Sequence, residues 1–174
     1  VCQMLPVNGG QQTFSAGLVT GCRTNAYPRT VTAYDALGRV AEITQPDGAR
    51  TRTAYQGRRV ASLDANGQQR INTLDAYGQL VEVREYNAAF ASINWNAAVY
   101  ATTQYTYDVL GNLRTVTDAA GNVTTMTYDV LGRKTAMTDP DMGDWQYRYD
   151  LAGNLIKQRD AANQAICFYY DALN

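Results

Sequence analysis

A five-residue signature, Tyr-Asp-x-x-Gly, recurs along this chain of 174 residues at a nearly constant interval. Complete and weaker copies begin at Tyr34, Tyr55, Leu74, Tyr107, Tyr128, Tyr149 and Tyr170. The spacings are 21, 19, 33, 21, 21 and 21 residues, and the interval of 33 is one period plus an insertion of twelve residues. A short fixed period of this kind predicts a chain built from one repeated supersecondary unit.

A second turn signal stands midway through each period, so that a turn comes about every ten residues. These midway segments are 46–48 (PDG), 64–67 (DANG), 118–121 (DAAG), 139–143 (DPDMG) and 160–163 (DAAN). Thr-, Val- and Tyr-rich segments of five to seven residues separate the turns, and short strands joined by Asp- and Gly-containing turns are typical of antiparallel hairpins. The sequence therefore predicts an all-β fold of tandem antiparallel β-hairpins, about 21 residues per repeat, which form one long curved sheet.

Each defined position of the signature has its own structural role. The Asp carboxylate can accept a hydrogen bond from the backbone N–H two residues later, which makes an Asx turn. The Gly can supply the positive φ that closes such a turn, and Asn is the next best residue there. The Tyr falls at the same place on every second strand, so we expect the tyrosines to align ring beside ring in a ladder. The residues predicted to build the turns and the ladder are Tyr34, Asp35, Gly38, Tyr107, Asp108, Gly111, Tyr128, Asp129, Gly132, Tyr149, Asp150, Gly153, Tyr170 and Asp171.

The composition excludes several classes of function. Histidine is absent, which excludes His-based triads, His metal sites and His proton shuttles from this chain. The net charge of −1 gives no long-range attraction to nucleic acid or anionic membrane, and no apolar run is long enough for a membrane-spanning helix. Phosphate-binding, dinucleotide-binding, nucleophile-elbow and calcium-loop motifs are missing. We therefore predict no catalytic, cofactor-binding or metal-binding residue, and no enzyme.

Two candidate sites lie outside the signature. Cys2 and Cys22 could form a disulfide in an oxidising compartment, although free thiols are an equal alternative because the chain has three cysteines. The inserted segment, residues 86–104, carries Phe90, Trp95 and Tyr100, which could form an aromatic contact patch for sugar rings or a neighbouring chain. The alternative is a loop, with one helical turn around residues 88–93, that packs these side chains over the sheet.

The period of 21 residues, written Tyr-Asp-x-x-Gly-[Arg/Asn], resembles that of the RHS/YD-repeat proteins. These occur in bacterial RHS polymorphic toxins, in the C component of insecticidal toxin complexes and in animal teneurins. The resemblance covers residues 30–174, whereas residues 1–29 fit the period poorly and are expected to form an irregular or degenerate repeat. The resemblance implies a β-sheet that spirals into a hollow shell, often around a toxic C-terminal domain. The chain ends within a repeat, so we expect a fragment of a longer protein.

The resemblance implies a structural function. The expected role is a wall segment of a large secreted or cell-surface bacterial protein, whose shell encloses cargo such as a toxin domain. The expected partners are the rest of the parent chain, other copies of the chain, and an enclosed toxin domain. The alternative is an extracellular fibre or adhesion module that assembles through free sheet edges or binds cell-surface glycans. No nucleic-acid partner, membrane span or cofactor is expected.

One segment has a superficial similarity to the Asp-Pro-x-Gly-Leu self-cleavage segment of toxin-bearing family members. It is DPDMGDW, residues 139–145, which shares Asp139, Pro140 and Gly143 with that pattern. The segment lies at a midway turn, however, and Asp144 stands where an apolar residue is expected. We therefore expect a hairpin turn there and assign no catalytic residue.

Overall fold

The computed structural model describes residues 29–171, and within that range it contains thirteen β-strands and no helix. The strands are β1 (Val31–Tyr34), β2 (Val40–Thr44), β3 (Arg50–Gln56), β4 (Arg59–Leu63), β5 (Gln68–Leu74), β6 (Leu80–Ala89), β7 (Ala101–Tyr107), β8 (Leu113–Thr117), β9 (Val123–Tyr128), β10 (Lys134–Asp139), β11 (Gly143–Tyr149), β12 (Leu155–Arg159) and β13 (Ala165–Cys167). Their order in the sheet is their order in the chain, each strand hydrogen-bonded to the next. The predicted all-β fold of tandem antiparallel hairpins is confirmed. The segment predicted at residues 1–29 lies outside the described residues except for Arg29.

The described residues divide into two compact units, of which the first comprises residues 29–72 and 85–100. Its core consists of Ala61, Ile71 and Tyr86. Part of the predicted insertion at 86–104 belongs to this unit: β6 continues to Ala89, and the segment that follows folds back against the core, as the loop alternative expected. The helical turn expected around residues 88–93 is wrong, since 88–89 extend a strand and 90–93 are irregular.

A buried polar contact fixes the returning segment of the first unit. The side chain of Gln69, only 3% exposed, donates from Nε2 to the Asn94 carbonyl at 2.9 Å and accepts from the Asn94 backbone N–H at 2.7 Å. A buried amide must be paired to avoid a desolvation cost, and this pair satisfies both ends of the side chain. The Phe90 N–H also donates to the Gly67 carbonyl at 2.8 Å. These bonds hold the insertion over β5.

The second unit, residues 73–84 and 101–171, is a run of hairpins whose strands present two chemically different faces. Side chains alternate across a strand, and the register brings like residues together on neighbouring strands. One face, called the aromatic face here, carries Tyr105, Tyr107, Leu113, Val116, Met126, Tyr128, Met137, Trp145, Tyr147, Tyr149 and Leu155, and also the polar residues Thr124, Lys134, Asp139 and Gln158. The other, called the polar face, carries Thr106, Thr115, Thr125, Thr138, Asp144, Gln146, Arg148, Lys157 and Arg159.

Burial differs sharply between the two units. Among the described residues of the second unit, Val83 is the one buried hydrophobic side chain, 7% exposed. Every named residue of the aromatic face is half-buried, covered by its neighbours within the sheet. An apolar face of a sheet ordinarily packs against another layer. The described residues of the second unit supply no such layer.

Candidate functional site

The Asp of each signature organises a five-residue turn with a fixed set of hydrogen bonds. At Asp129 the backbone N–H donates to the Arg133 carbonyl and the Gly132 N–H donates to the Asp129 carbonyl, each at 3.0 Å. The Asp129 Oδ1 accepts from the N–H groups of Leu131 at 2.9 Å and Arg133 at 3.0 Å. The same pair of backbone bonds recurs at Asp35, Asp64, Asp75, Asp108, Asp118, Asp129, Asp150 and Asp160. The turns that begin at these aspartates therefore share one geometry, whether they stand at a signature or midway through a period.

The residue after the turn glycine binds the second carboxylate oxygen. Arg133 donates from Nε to Oδ2 of Asp129 at 2.7 Å, and Arg39 donates in the same way to Asp35 at 2.8 Å. An Asn at this position donates its amide to the preceding Asp instead, at distances from 2.8 to 3.0 Å, in the cases of Asn112, Asn122 and Asn154. The preference for Arg or Asn after the Gly thus follows from the need for a side-chain donor that reaches back four residues.

The arginines also connect one repeat to the next. The Arg133 guanidinium lies over the Tyr149 ring, 4.9 Å from its centre, and donates from Nη1 to the Asp150 carbonyl at 3.0 Å. Arg39 lies over the Tyr55 ring at 3.9 Å. A guanidinium over an aromatic face is attracted by the ring quadrupole. Each of these arginines therefore binds its own turn and the tyrosine of the following repeat.

The turn hydrogen bonds keep the aspartates ionised. The backbone N–H of Arg133, followed by its side chain, lowers the pKa of Asp129 below its ordinary value. The Asn112 side-chain amide lowers the pKa of Asp108 in the same direction. Hydrogen bonds to a carboxylate favour its charged form. The charged carboxylates of Asp108 and Asp129 therefore serve to hold their turns together.

The signature tyrosines form a ladder through their hydroxyl groups. Each hydroxyl donates to the backbone carbonyl of the residue six positions after the preceding signature residue. The pairs are Tyr55 with Val40 at 3.3 Å, Tyr107 with Leu80 at 2.8 Å, Tyr128 with Leu113 at 2.9 Å, Tyr149 with Lys134 at 3.0 Å and Tyr170 with Leu155 at 3.0 Å. The expected ring-beside-ring contact is wrong, because successive tyrosines lie two strands apart, about 10 Å, and the intervening strand separates them.

The sheet register explains why these carbonyls need a donor. The pairing of β8 with β9 runs from Thr117 to Thr115, so Leu113 lies beyond its last pair. A bulge on the preceding hairpin, between Thr106 and Tyr107, shifts the register at the same place. A backbone carbonyl left without a ladder partner is unfavourable when it is shielded from water. The Tyr128 hydroxyl supplies the missing donor.

Burial raises the pKa of three of the signature tyrosines. Desolvation is the main cause that raises the pKa of Tyr107, Tyr128 and Tyr149 above the ordinary value. Burial disfavours the phenolate, and a protonated hydroxyl is the form that can donate to a carbonyl. The raised pKa of Tyr107, Tyr128 and Tyr149 therefore favours the donating form of these three hydroxyls.

Glycine at the turns is required by the backbone. Gly111 and Gly132 have φ of 87° and 76°, values that L-residues with a side chain rarely adopt. Asn163, at the same position of the turn that begins at Asp160, has φ of 67° and is the one non-glycine residue with positive φ in the described range. Asn tolerates this conformation better than other side chains do.

The midway segment 139–143 is a hairpin loop between β10 and β11. The carboxylate of Asp139 accepts from the N–H groups of Asp141 and Met142, each at 2.9 Å, and from the Thr124 hydroxyl at 2.6 Å. The Thr124 hydroxyl is the main cause that lowers the pKa of Asp139. Its oxygens are thus occupied by the turn and by a neighbouring strand.

The three residues predicted as a contact patch do not form one exposed surface. Phe90 and Trp95 pack against the buried core of the first unit, and the Arg59 guanidinium lies 5.3 Å from the Trp95 ring centre. Tyr100 alone is exposed, to 69%. Phe90 and Trp95 therefore cover their own sheet, and a contact role for the three residues stays a prediction.

The remaining predicted sites are placed as follows. Cys2 and Cys22 lie outside the described residues, whereas Cys167 is an exposed free thiol. Within residues 29–171 no three His, Cys, Asp or Glu side chains are grouped so that they could hold a metal ion. No helix in the same range is long and apolar enough to cross a membrane.

Comparison with protein families finds one match. Residues 34–69 and 107–141 match the RHS Repeat family model, and both segments begin at a signature tyrosine. No curated protein is significantly similar in sequence.

Comparison with solved structures finds toxin-complex proteins. The crystal structure of TcdB2-TccC3-Cdc42 has a TM-score of 0.66 at 17% identity, over 78% of this chain and 8% of that chain. The crystal structure of TcdB2-TccC3 without its hypervariable C-terminal region has a TM-score of 0.46 at 16% identity, over 76% of this chain and 8% of that chain. The structure of the Photorhabdus luminescens Tc holotoxin pore has a TM-score of 0.44 at 16% identity, over 76% of this chain and 8% of that chain. The first of these similarities shows the fold, and this chain spans less than a tenth of the matched chain's length.

Proposed function

Because this chain carries RHS repeats, we propose that it is a wall segment of a β-shell in a large secreted or cell-surface bacterial protein. The wall separates an enclosed segment, such as a toxin domain, from the outside. The chain contributes shape and a barrier, and no step of catalysis is assigned to it. Its partners are the rest of the parent chain and the enclosed polypeptide.

The observation that carries this proposal is the chemical difference between the two faces of the second unit. The aromatic face presents mainly Tyr, Trp, Met, Leu and Val side chains, with Thr124, Lys134, Asp139 and Gln158 among them, while the polar face presents mainly Thr, Gln and charged side chains. A wall between water and an enclosed polypeptide needs such a difference, since exposed apolar surface of this extent is unfavourable in contact with bulk water. We place the polar face outside and the aromatic face inside.

The turn and ladder network supports the same role. Each hairpin is bound to the next by a tyrosine hydroxyl and, at two repeats, by an arginine that stacks on the next tyrosine. In repeat structures, contacts between neighbouring repeats propagate stability along the array. A wall held together in this way stays continuous without a central core.

The glycan-binding alternative has lost its main support. It relied on an exposed aromatic patch, but Phe90 and Trp95 pack against the core of the first unit. The wall function involves the aromatic face, which is repeated along the second unit. Glycan binding would instead depend on one exposed residue, Tyr100.

The proposal is tested by asking which face can be reached from outside the intact parent protein. Thr124 and Thr125 are adjacent on β9 and point to opposite faces, so Thr124→Cys and Thr125→Cys form a pair. Thr124→Cys also removes the hydroxyl that donates to Asp139, so circular dichroism first checks that this variant folds. The background replaces Cys2, Cys22 and Cys167 by Ser. Each variant is treated with a small maleimide and with a polymer-linked maleimide too large to enter a shell.

The two reagents should distinguish the faces. We expect the cysteine at position 125 to react with both reagents, and the cysteine at 124 to react with the polymer-linked reagent only after the parent protein is unfolded. Equal reaction of both cysteines with the large reagent in the folded parent would contradict enclosure. If only the cysteine at 124 reacts with the large reagent in the folded parent, the chain still forms a shell wall, but the aromatic face is the outer face.

A further inference from the structure

The signature loops of the second unit carry large apolar side chains at their tips. The two residues between Asp and Gly are almost fully exposed, with fractional exposures from 71% to 108%. We call these residues the tip row, which consists of Tyr77, Val109, Leu110, Val130, Leu131 and Leu151. At the opposite ends of the hairpins, the midway loops 118–121 and 160–163 carry Ala pairs at the corresponding positions.

The turn itself does not require these side chains. All of its hydrogen bonds use backbone atoms, the Asp carboxylate and the residue after the Gly. The midway turns have the same bonds with Ala pairs, as at Asp118. Exposed apolar residues in one contiguous set are unfavourable in water and commonly mark an interaction surface.

The tips form a continuous row rather than scattered points. Neighbouring signature loops touch, since Gln79 donates from Nε2 to the Gly111 carbonyl at 3.4 Å. A Cβ atom on Gly132 would lie 3.3 Å from Oδ1 of Asn112, which shows the same closeness one repeat further. Two strands separate successive loops, so the tips repeat about every 10 Å.

The charge around the row also suits an apolar contact. None of the six tip residues is charged, and the aspartates beside them are bound within their own turns. Arg133, the cation nearest to the tips of its loop, is folded back onto Asp129. An approaching apolar surface therefore meets no free charge that would have to be desolvated on the tips themselves.

We propose that the tip row is an interface between two copies of this chain, each contributing the same row. A surface with an apolar side chain about every 10 Å is best matched by another row with the same period. Two rows that run in opposite directions give an isologous contact, in which the apolar tips of one copy pack against the tips of the other. The proposal does not depend on the enclosure of cargo.

The area available is sufficient for such a dimer. Six side chains at roughly 100 Å² each give on the order of 600 Å² per copy. Two copies then bury on the order of 1,200 Å², the lower end of the range for specific protein–protein interfaces. We therefore expect a reversible dimer rather than an obligate one.

The proposal is tested by sedimentation velocity on the full chain over a range of concentrations. The unsubstituted chain should show a monomer–dimer equilibrium. The double variant Leu110→Asp, Leu131→Asp should raise the dissociation constant at least a hundredfold, because four carboxylates would enter the apolar contact. The control places the same two charges at the other hairpin ends, with Ala120→Asp and Ala162→Asp, and should dimerise like the unsubstituted chain.

A mixing experiment tests whether the tip row, rather than another surface, forms the dimer contact. The variant Leu110→Lys, Leu131→Lys should also be monomeric, but a mixture of the Lys and Asp variants should recover the dimer because opposite charges then meet. Circular dichroism checks that every variant keeps its β-spectrum. A monomeric unsubstituted chain, or a dimer unaffected by both tip variants, would overturn the proposal; the second result would assign association to the edge strands or the aromatic face.

Discussion

The tyrosine ladder makes a quantitative prediction at Tyr128. The substitution Tyr128→Phe keeps the half-buried ring and removes only the hydroxyl that donates to the Leu113 carbonyl at 2.9 Å. A neutral hydrogen bond contributes about 0.5–1.5 kcal/mol net, and the partner carbonyl would lose its donor beside a register shift. We expect the free energy of unfolding to fall by about 1 kcal/mol, or the melting temperature by about 2–4 °C for a chain of this size.

The measurement is urea-induced unfolding followed by circular dichroism and by tryptophan fluorescence. Repeat arrays can unfold in parts, so the free energy is meaningful only where both probes give the same transition. The matched control is Tyr169→Phe, which removes a hydroxyl from a side chain that is 93% exposed and belongs to neither the ladder nor the tip row. A surface substitution of this kind should change stability by no more than about 0.5 kcal/mol.

Ladder positions lie far enough apart to be combined. Tyr107, Tyr128 and Tyr149 are separated by about 10 Å, so three Tyr→Phe substitutions should add to about 3 kcal/mol. If Tyr128→Phe is as neutral as Tyr169→Phe, the hydroxyl bonds do not stabilise the array, and the proposed coupling between hairpins is refuted.

Three further predictions follow from the turns and their titration. Gly121→Ala should lose about 1 kcal/mol because φ is 86° there, whereas Gly121→Asn should lose less; equal losses would contradict the backbone explanation. Gly143→Ala should be more damaging than Gly121→Ala, because its Cβ would lie 2.5 Å from that of Ala161 while Gly121 has open space; melting temperatures give the order. Asp108 and Asp129 have a lowered pKa, so their stabilisation is present above the unfolded value of about 4 and is lost as pH falls through the folded values. Tyr107, Tyr128 and Tyr149 have a raised pKa, so their stabilisation is present below about 10 and is lost above it. Urea midpoints measured across the pH range should therefore decline at both ends, and a flat acid limb would contradict the turn bonds.

The hairpin architecture could be predicted from the sequence because each of its causes is local. An Asp followed by Gly three positions later defines its turn within five residues, as at Asp129. The alternation of Thr with Met and Tyr along β9 defines two faces in the same way. Local hydrogen bonds and side-chain alternation need no knowledge of distant residues.

Other features could not be predicted because they depend on contacts between repeats or across the sheet. The acceptor of the Tyr128 hydroxyl lies fifteen residues earlier, and its need for a donor arises from a bulge that the sequence pattern does not reveal. The inward packing of Trp95 depends on the buried pair between Gln69 and Asn94, which are 25 residues apart. The signal that could have suggested the first was the recurrence of a tyrosine at the same position of each repeat, six residues before the position that supplies the next acceptor.

The most direct test of the wall function is electron cryo-microscopy of the parent protein that contains this chain. The wall function predicts discrete hollow particles in which the hairpins of residues 101–159 form part of the wall. In these particles the aromatic face, including Trp145 and Tyr147, would line the interior. A filament, or a sheet with both faces open to bulk solvent, would contradict it.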